Sequence, residues 1–199
     1  MQNEYKHEGK VIFVGEANVG KTCLLNALLN RTFQDNLGST VNPGFEILNT
    51  KDSDGNAKRI QLWDTSGQER YQSVASLFFR EASLAVVCFE STDENSMQNS
   101  VSWINSVQQA APTCRFIFVG TKQDLLVENQ VNQVLSKADS FYEIYDPIQI
   151  IITSSKTGQN VKLLKKVLAN SIAAQSEIQN ELTVDINNND NEAKKSGCC

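Results

Sequence analysis

The sequence predicts an α/β fold in three layers, with a six-stranded, mostly parallel sheet, one antiparallel edge strand and helices on both faces. Three observations predict it. Short apolar runs of strand length alternate with longer segments of helical character, the pattern of parallel strands joined by crossover helices. Most of the short runs are apolar and β-branched, as strands covered on both faces must be. The second and third runs are joined by Asp52-Ser53-Asp54-Gly55-Asn56, a turn sequence that makes this pair an antiparallel hairpin.

In chain order, the first strand is expected at Lys10–Val14, a run of Val, Ile and Phe, and the first helix at Lys21–Leu29 after a glycine-bearing loop. The hairpin strands are Phe45–Thr50 and Arg59–Trp63, followed by a helix over Gln72–Phe79. The apolar runs Leu84–Phe89, Phe116–Gly120 and Ile148–Thr153 supply the remaining strands. Between and after them lie helices at Ser96–Ala110, Gln130–Tyr145 and Val161–Gln175. No internal repeat interrupts this order.

The chain has 199 residues, 40% hydrophobic and 21% charged, an ordinary globular composition for one domain plus a tail. A domain of roughly 170 residues buries about 70% of its unfolded surface, enough for a full core. Residues 1–9 form an N-terminal extension without the apolar centre of a signal peptide, and 10–175 form the domain. Residues 176–199 carry five acidic residues against Lys194 and Lys195, with Asn187-Asn188-Asn189 among them. Such a segment buries too little to offset its ordering entropy, so a flexible tail is expected. The net charge of −5, without a basic run, argues against nucleic acid as a partner. No apolar stretch approaches the roughly 20 residues that span a bilayer. Cys23, Cys88 and Cys114 show no metal-binding spacing. Cys23 and Cys88 read as small buried hydrophobes.

Gly15-Glu16-Ala17-Asn18-Val19-Gly20-Lys21-Thr22 fits G-x-x-x-x-G-K-[ST] between a strand and a helix, the context that a phosphate loop requires. Successive backbone N–H groups and a helix N-terminus form a nest for an oxyanion. Gly15 and Gly20 permit the backbone path, Lys21 adds a charge on the outer phosphates, and Thr22 offers a hydroxyl to Mg²⁺. Asp64, at the end of the third strand, is placed to hold the metal through water. Gly67 can reach the terminal phosphate, and Gln68 can orient an attacking water. Thr121-Lys122-Gln123-Asp124 follows the fifth strand. A carboxylate there accepts from both the ring N–H and the exocyclic amino group of guanine, whereas adenine leaves it unpaired. The aliphatic stem of Lys122 can lie over the purine.

Together these residues resemble the Ras-like small GTPases, and the Rab branch most closely, from about Lys10 to Ala173 and again at the C-terminus. Trp63-Asp64-Thr65-Ser66-Gly67-Gln68-Glu69-Arg70-Tyr71 is similar to the Rab second switch. The resemblance implies a G domain of the P-loop NTPase fold that binds GTP and GDP with Mg²⁺. In it the phosphate loop, with Ala17, Asn18, Val19 and Cys23, cradles the nucleotide. It further implies that Thr40 joins Thr22 and Asp64 around Mg²⁺ and that Phe33 packs on the base. Ser154, Ser155 and Lys156 then flank the base. Catalysis falls to Gln68, Lys21 and Gly67, with no arginine finger identifiable in the site. Phe45, Trp63 and Phe78 match the aromatic triad that Rab proteins present to effectors, while Trp103 reads as helix packing and His7 as a solvated side chain.

Three departures stand out. Thr121 opens the base motif in place of the commoner Asn, Ala17 stands where relatives have Gly or another small residue, and Asn42-Pro43 follows Val41 where Rab proteins place Gly. Pro43 fixes its own φ and pushes Asn42 toward extended geometry. The final Gly197-Cys198-Cys199 resembles the double-cysteine ending on which Rab proteins receive two geranylgeranyl chains. One lipid gives marginal binding, and an acidic tail adds no electrostatic attraction, so the second signal falls to the second cysteine. The implied protein is a monomer on the cytoplasmic face of an intracellular membrane that cycles with the cytosol in vesicle traffic. Its implied partners are effectors, an exchange factor, a GTPase-activating protein and a prenyl-binding chaperone.

Overall fold

The computed structural model describes residues 9–35, 38, 44–65 and 77–175. Six strands form one sheet: β1 (Gly9–Val14), β2 (Gly44–Lys51), β3 (Ala57–Asp64), β4 (Leu84–Glu90), β5 (Arg115–Thr121) and β6 (Gln149–Ile152). Their order is β2-β3-β1-β4-β5-β6. Only the β2–β3 pair is antiparallel, registered from Gly44 opposite Asp64 to Lys51 opposite Ala57. The other pairs are parallel, which confirms the mostly parallel sheet with an antiparallel edge. The hairpin turn closes as its residues dictate. Asp52 accepts the N–H groups of Asp54 and Asn56 at 3.0 and 2.9 Å, and Gly55 supplies a positive φ of 87°.

Each parallel strand buries both faces because period-2 side chains sort into two cores. Val11 and Phe13 of β1 join Leu24 and Leu28 of α1 (Lys21–Leu28) and Leu164, Leu168 and Ile172 of α4 (161–175). Ile12 and Val14 face the opposite way, toward Trp103 and Ile104 of α2 (Val101–Ala110) and Phe141 of α3 (Glu128–Tyr145). Trp103, 3% exposed, is core packing as expected. Cys88 and Cys114 are buried too, and burial pushes both thiols up to about 12.

Three helix boundaries differ from expectation, the first only in that α1 ends at Leu28, one residue short of Leu29. The helix expected at Ser96–Ala110 is a single turn, Ser96–Asn99, that breaks at Ser100 before α2. The Ser100 hydroxyl donates to the Met97 carbonyl at 2.6 Å, in competition with the helical ladder. Helix α3 starts at Glu128 rather than Gln130, because the Gln130 side chain turns back to accept the Val127 N–H at 3.0 Å. Residues 77–79 are helical, while the rest of the expected Gln72–Phe79 helix, and His7, lie outside the described residues.

Candidate functional site

In an open α/β sheet the crevice at the carboxyl ends of the strands opens where strand order reverses. Here β1 lies between β3 and β4, and the chain runs from β1 to the β2–β3 hairpin on one side before crossing to β4 on the other, so that point lies after Val14, where Gly15–Thr22 begins. The loop is wound tightly. Gly15 has φ +137° and Gly20 φ +99°, and Asn18 adopts the left-handed region at +64°, which its short amide side chain tolerates. A Cβ on Gly15 would run into the Cys88 carbonyl oxygen of β4. Gly15→Ala is therefore expected to lower the melting temperature by about 4–8 °C, the equivalent of roughly 2 kcal/mol. An unchanged thermal melt would show that the loop can move off β4.

No side chain among the described residues caps α1, whose first N–H groups are then open to an anion. Lys21, 5% exposed, donates to the carbonyls of Gly15 at 2.8 Å and Glu16 at 2.6 Å. Burial pushes its ammonium below the ordinary lysine value, countered in part by Cys88, Asp64 and Glu16. An anion seated on the loop would offset that desolvation. Beside it, the Thr22 hydroxyl donates to the Asp64 carboxylate at 2.8 Å. Two hard oxygen donors are thus held together at the phosphate loop, the donor chemistry that Mg²⁺ takes when phosphate and water complete its shell.

The base motif is tied to this loop from behind. The Thr121 hydroxyl donates to the Val19 carbonyl, with the Phe89 carbonyl 3.1 Å away. The departure from Asn thus leaves a hydroxyl bracing the phosphate loop on β4 and β5. Lys122, at φ +59°, extends its ammonium to Glu90 at 2.6 Å. Burial raises the Glu90 pKa, but hydrogen bonds from Lys122 and Thr92 and the lysine charge outweigh it, and the carboxyl ends below its ordinary value. Asp124 accepts the Ser154 hydroxyl, and that same oxygen of Ser154 accepts the Thr157 N–H at 3.1 Å. Lys156 reaches Asp35 at 3.2 Å and lies 5.9 Å from the centre of the Phe33 ring.

One cavity of about 460 Å³ collects these groups. Of the residues expected in the site, Ala17, Asn18, Gly20, Lys21, Thr22, Cys23, Phe33, Thr121, Lys122, Asp124, Ser155 and Lys156 line it. Gly15, Val19, Asp64 and Ser154 stand behind the lining and hold it. Thr40, Gly67 and Gln68 lie outside the described residues, as do Asn42, Pro43, Cys198 and Cys199. Cys23 corrects the reading as a buried hydrophobe, being only partly buried and on the cavity wall, because α1 turns that position toward the opening. Sequence reasoning missed Gln34, Asp35, Gly38, Thr65 and Leu125. Thr65, whose hydroxyl donates to the Phe13 carbonyl, adjoins Asp64 and was within reach of the motif. Asp35 and Glu90 carry no sequence signal, since their partners Lys156 and Lys122 lie far along the chain.

A second feature lies at the sheet edge. Phe45 and Trp63 stack with ring centres 5.1 Å apart, and Trp63 meets Phe78 at 6.0 Å. Lys10 lies 4.4 Å from the Trp63 ring centre and donates to the Arg80 carbonyl at 2.8 Å. Phe45 is 52% exposed, and Leu77, which precedes Phe78 in the chain, is 56% exposed.

Residues 10–174 match the profile of the Ras family. The chain is 31% identical over 173 residues to "GTP-binding protein YPTM2" of Zea mays, which covers 86% of this chain and 83% of that protein. It is 33% identical over 163 residues to "Ras-related protein Rab-1D" of Dictyostelium discoideum, covering 81% and 78%. Over 172 residues it is 31% identical to "Ras-related protein RABE1e" of Arabidopsis thaliana, covering 86% and 78%.

Proposed function

This chain belongs to the Ras family, and from that premise we propose that it is a Rab-type switch, a GTPase that converts GTP and water to GDP and phosphate and recruits effectors while GTP is bound. The observation that carries this reading is the single cavity in which Lys21 and Thr22 of the phosphate loop share walls with Lys122, Asp124 and Lys156. Lys21 and the open N-terminus of α1 bind the phosphates, and Asp124, held by Ser154, selects guanine. Thr22, Thr40 and Asp64 would hold Mg²⁺, which when bound neutralises charge on the outer phosphates. Gln68 orients the attacking water, and Gly67 donates its N–H to the terminal phosphate.

The chemistry is positioning and electrostatics, so the unassisted rate is expected at about 10⁻³ to 10⁻⁴ s⁻¹, with an activating protein supplying further charge. GTP orders the two switch segments through its terminal phosphate, and hydrolysis releases them. The Phe45, Trp63 and Phe78 surface would then meet effectors. Single-turnover hydrolysis with Gln68→Leu tests this mechanism. The variant should be slower by about tenfold while nucleotide affinity stays the same, in keeping with a role in orienting water. Equal rates would remove Gln68 from the mechanism.

Among the described residues no helix is long and apolar enough to cross a membrane. Membrane attachment in this reading comes from two prenyl chains on Cys198 and Cys199. Cys198→Ser combined with Cys199→Ser should move the protein from the membrane pellet to the supernatant in fractionated cells. Persistent pelleting of the double variant would refute lipid anchoring at these residues.

A further inference from the structure

Lys122 stands on the wall of the nucleotide cavity, and Glu90 stands behind it, off that wall. The sheet register brings the two together. Glu90, the last residue of β4, lies opposite Thr121, the last residue of β5, and Lys122 follows at once. Glu90 is fixed at three points. Its backbone N–H donates to the Ser96 hydroxyl at 2.8 Å, one carboxylate oxygen accepts the Thr92 hydroxyl at 2.7 Å, and the other holds the Lys122 ammonium at 2.6 Å. Ser96 is 2% exposed, so the short turn that carries it gives Glu90 a rigid support. The Lys122 side chain is thus tied at both ends, by its backbone at φ +59° and by its ammonium on Glu90.

We propose that Glu90 is a positioning residue for the nucleotide: through its ion pair it holds the aliphatic stem of Lys122 as a ready-made face for the purine ring, and so strengthens binding of GDP and GTP. A lysine side chain has much rotamer freedom to lose when it is ordered against a ligand. Here Glu90 orders it in advance, so the nucleotide meets a surface already in place. The stem meets the flat of the ring and not its edge, so the pair adds affinity without reading which base is bound. This rests on the reading of the first cavity as the guanine-nucleotide site.

The test uses the full chain, with GDP and inosine diphosphate, whose base lacks the exocyclic amino group, as probes. Glu90→Gln keeps an oxygen for the Thr92 hydroxyl but removes the charge that holds Lys122. It should weaken both nucleotides by the same factor, about three- to five-fold, as expected for one partly exposed ion pair. The loss should appear as faster release with association unchanged. Without nucleotide the variant should melt within about 2 °C of the native chain. In a Lys122→Met background, adding Glu90→Gln should cost nothing further, because the residue it acts through is gone. Thr92→Val, at an exposed position and so safe for folding, frees one oxygen of Glu90 and should weaken GDP by about two-fold. Unchanged or tighter GDP binding in Glu90→Gln would overturn the proposal, and so would the same loss in the Lys122→Met background. A loss for GDP but not for inosine diphosphate would also overturn it, since Glu90 would then act on the base edge through Asp124. Each of these results leaves GDP bound to the native chain and sinks the positioning role alone. A native chain that binds neither nucleotide sinks the reading of the cavity, and this proposal with it.

Discussion

Asp124→Asn will cost GDP roughly two to three orders of magnitude in affinity, because one of two donors on the guanine edge then meets an amide N–H instead of an oxygen. In the native site the Ser154 hydroxyl donates to one oxygen of Asp124 and fixes the carboxylate in place. Guanine presents two adjacent donors to it. Asparagine keeps the shape but offers one acceptor and one donor, so a buried donor pair is set face to face. Xanthine, with a carbonyl where guanine has its amino group, suits the amide, and its diphosphate should gain affinity as GDP loses it. Titration of both nucleotides against both proteins checks this. Equal GDP affinity would mean that the base is read elsewhere in the cavity.

Lys21→Met should weaken GTP and GDP by about a hundredfold and leave GMP nearly unchanged, since the ammonium acts on the outer phosphates alone. Methionine fills similar space and removes a buried charge, so the protein without nucleotide should melt at nearly the native temperature. The loss appears on adding nucleotide. A hundredfold change in affinity removes about 2.7 kcal/mol of ligand-linked stabilisation at saturating concentrations. Thermal shift with and without GDP reads both quantities at once. A variant that unfolds without nucleotide would instead assign Lys21 to the fold, through its bonds to the Gly15 and Glu16 carbonyls.

The sheet was legible because its cause is local. Phe116–Gly120 and Leu84–Phe89 are apolar runs too short for helices and too continuous for surface strands, and the observed strands extend them by one residue at most at either end. Asp52–Asn56 specified the hairpin through side-chain bonds to its own backbone, which needs no distant partner. The helix boundaries were less legible. Ser100 and Gln130 act through single side-chain hydrogen bonds that the apolar period does not register.

The phosphate loop and the base motif were each legible as spacing, because backbone nests and a carboxylate on guanine are formed by consecutive residues. The sequence by itself therefore determined the sheet with its antiparallel edge, the phosphate loop and the carboxylate at Asp124. What only the tertiary structure decided are the long-range pairs: Thr22 on Asp64, Lys122 on Glu90, Ser154 on Asp124 and Lys156 on Asp35. Each joins residues 30 or more positions apart. Their contact depends on strand order, which brings the ends of β1, β3, β4, β5 and β6 to one edge of the sheet, and no local pattern in the chain encodes that proximity.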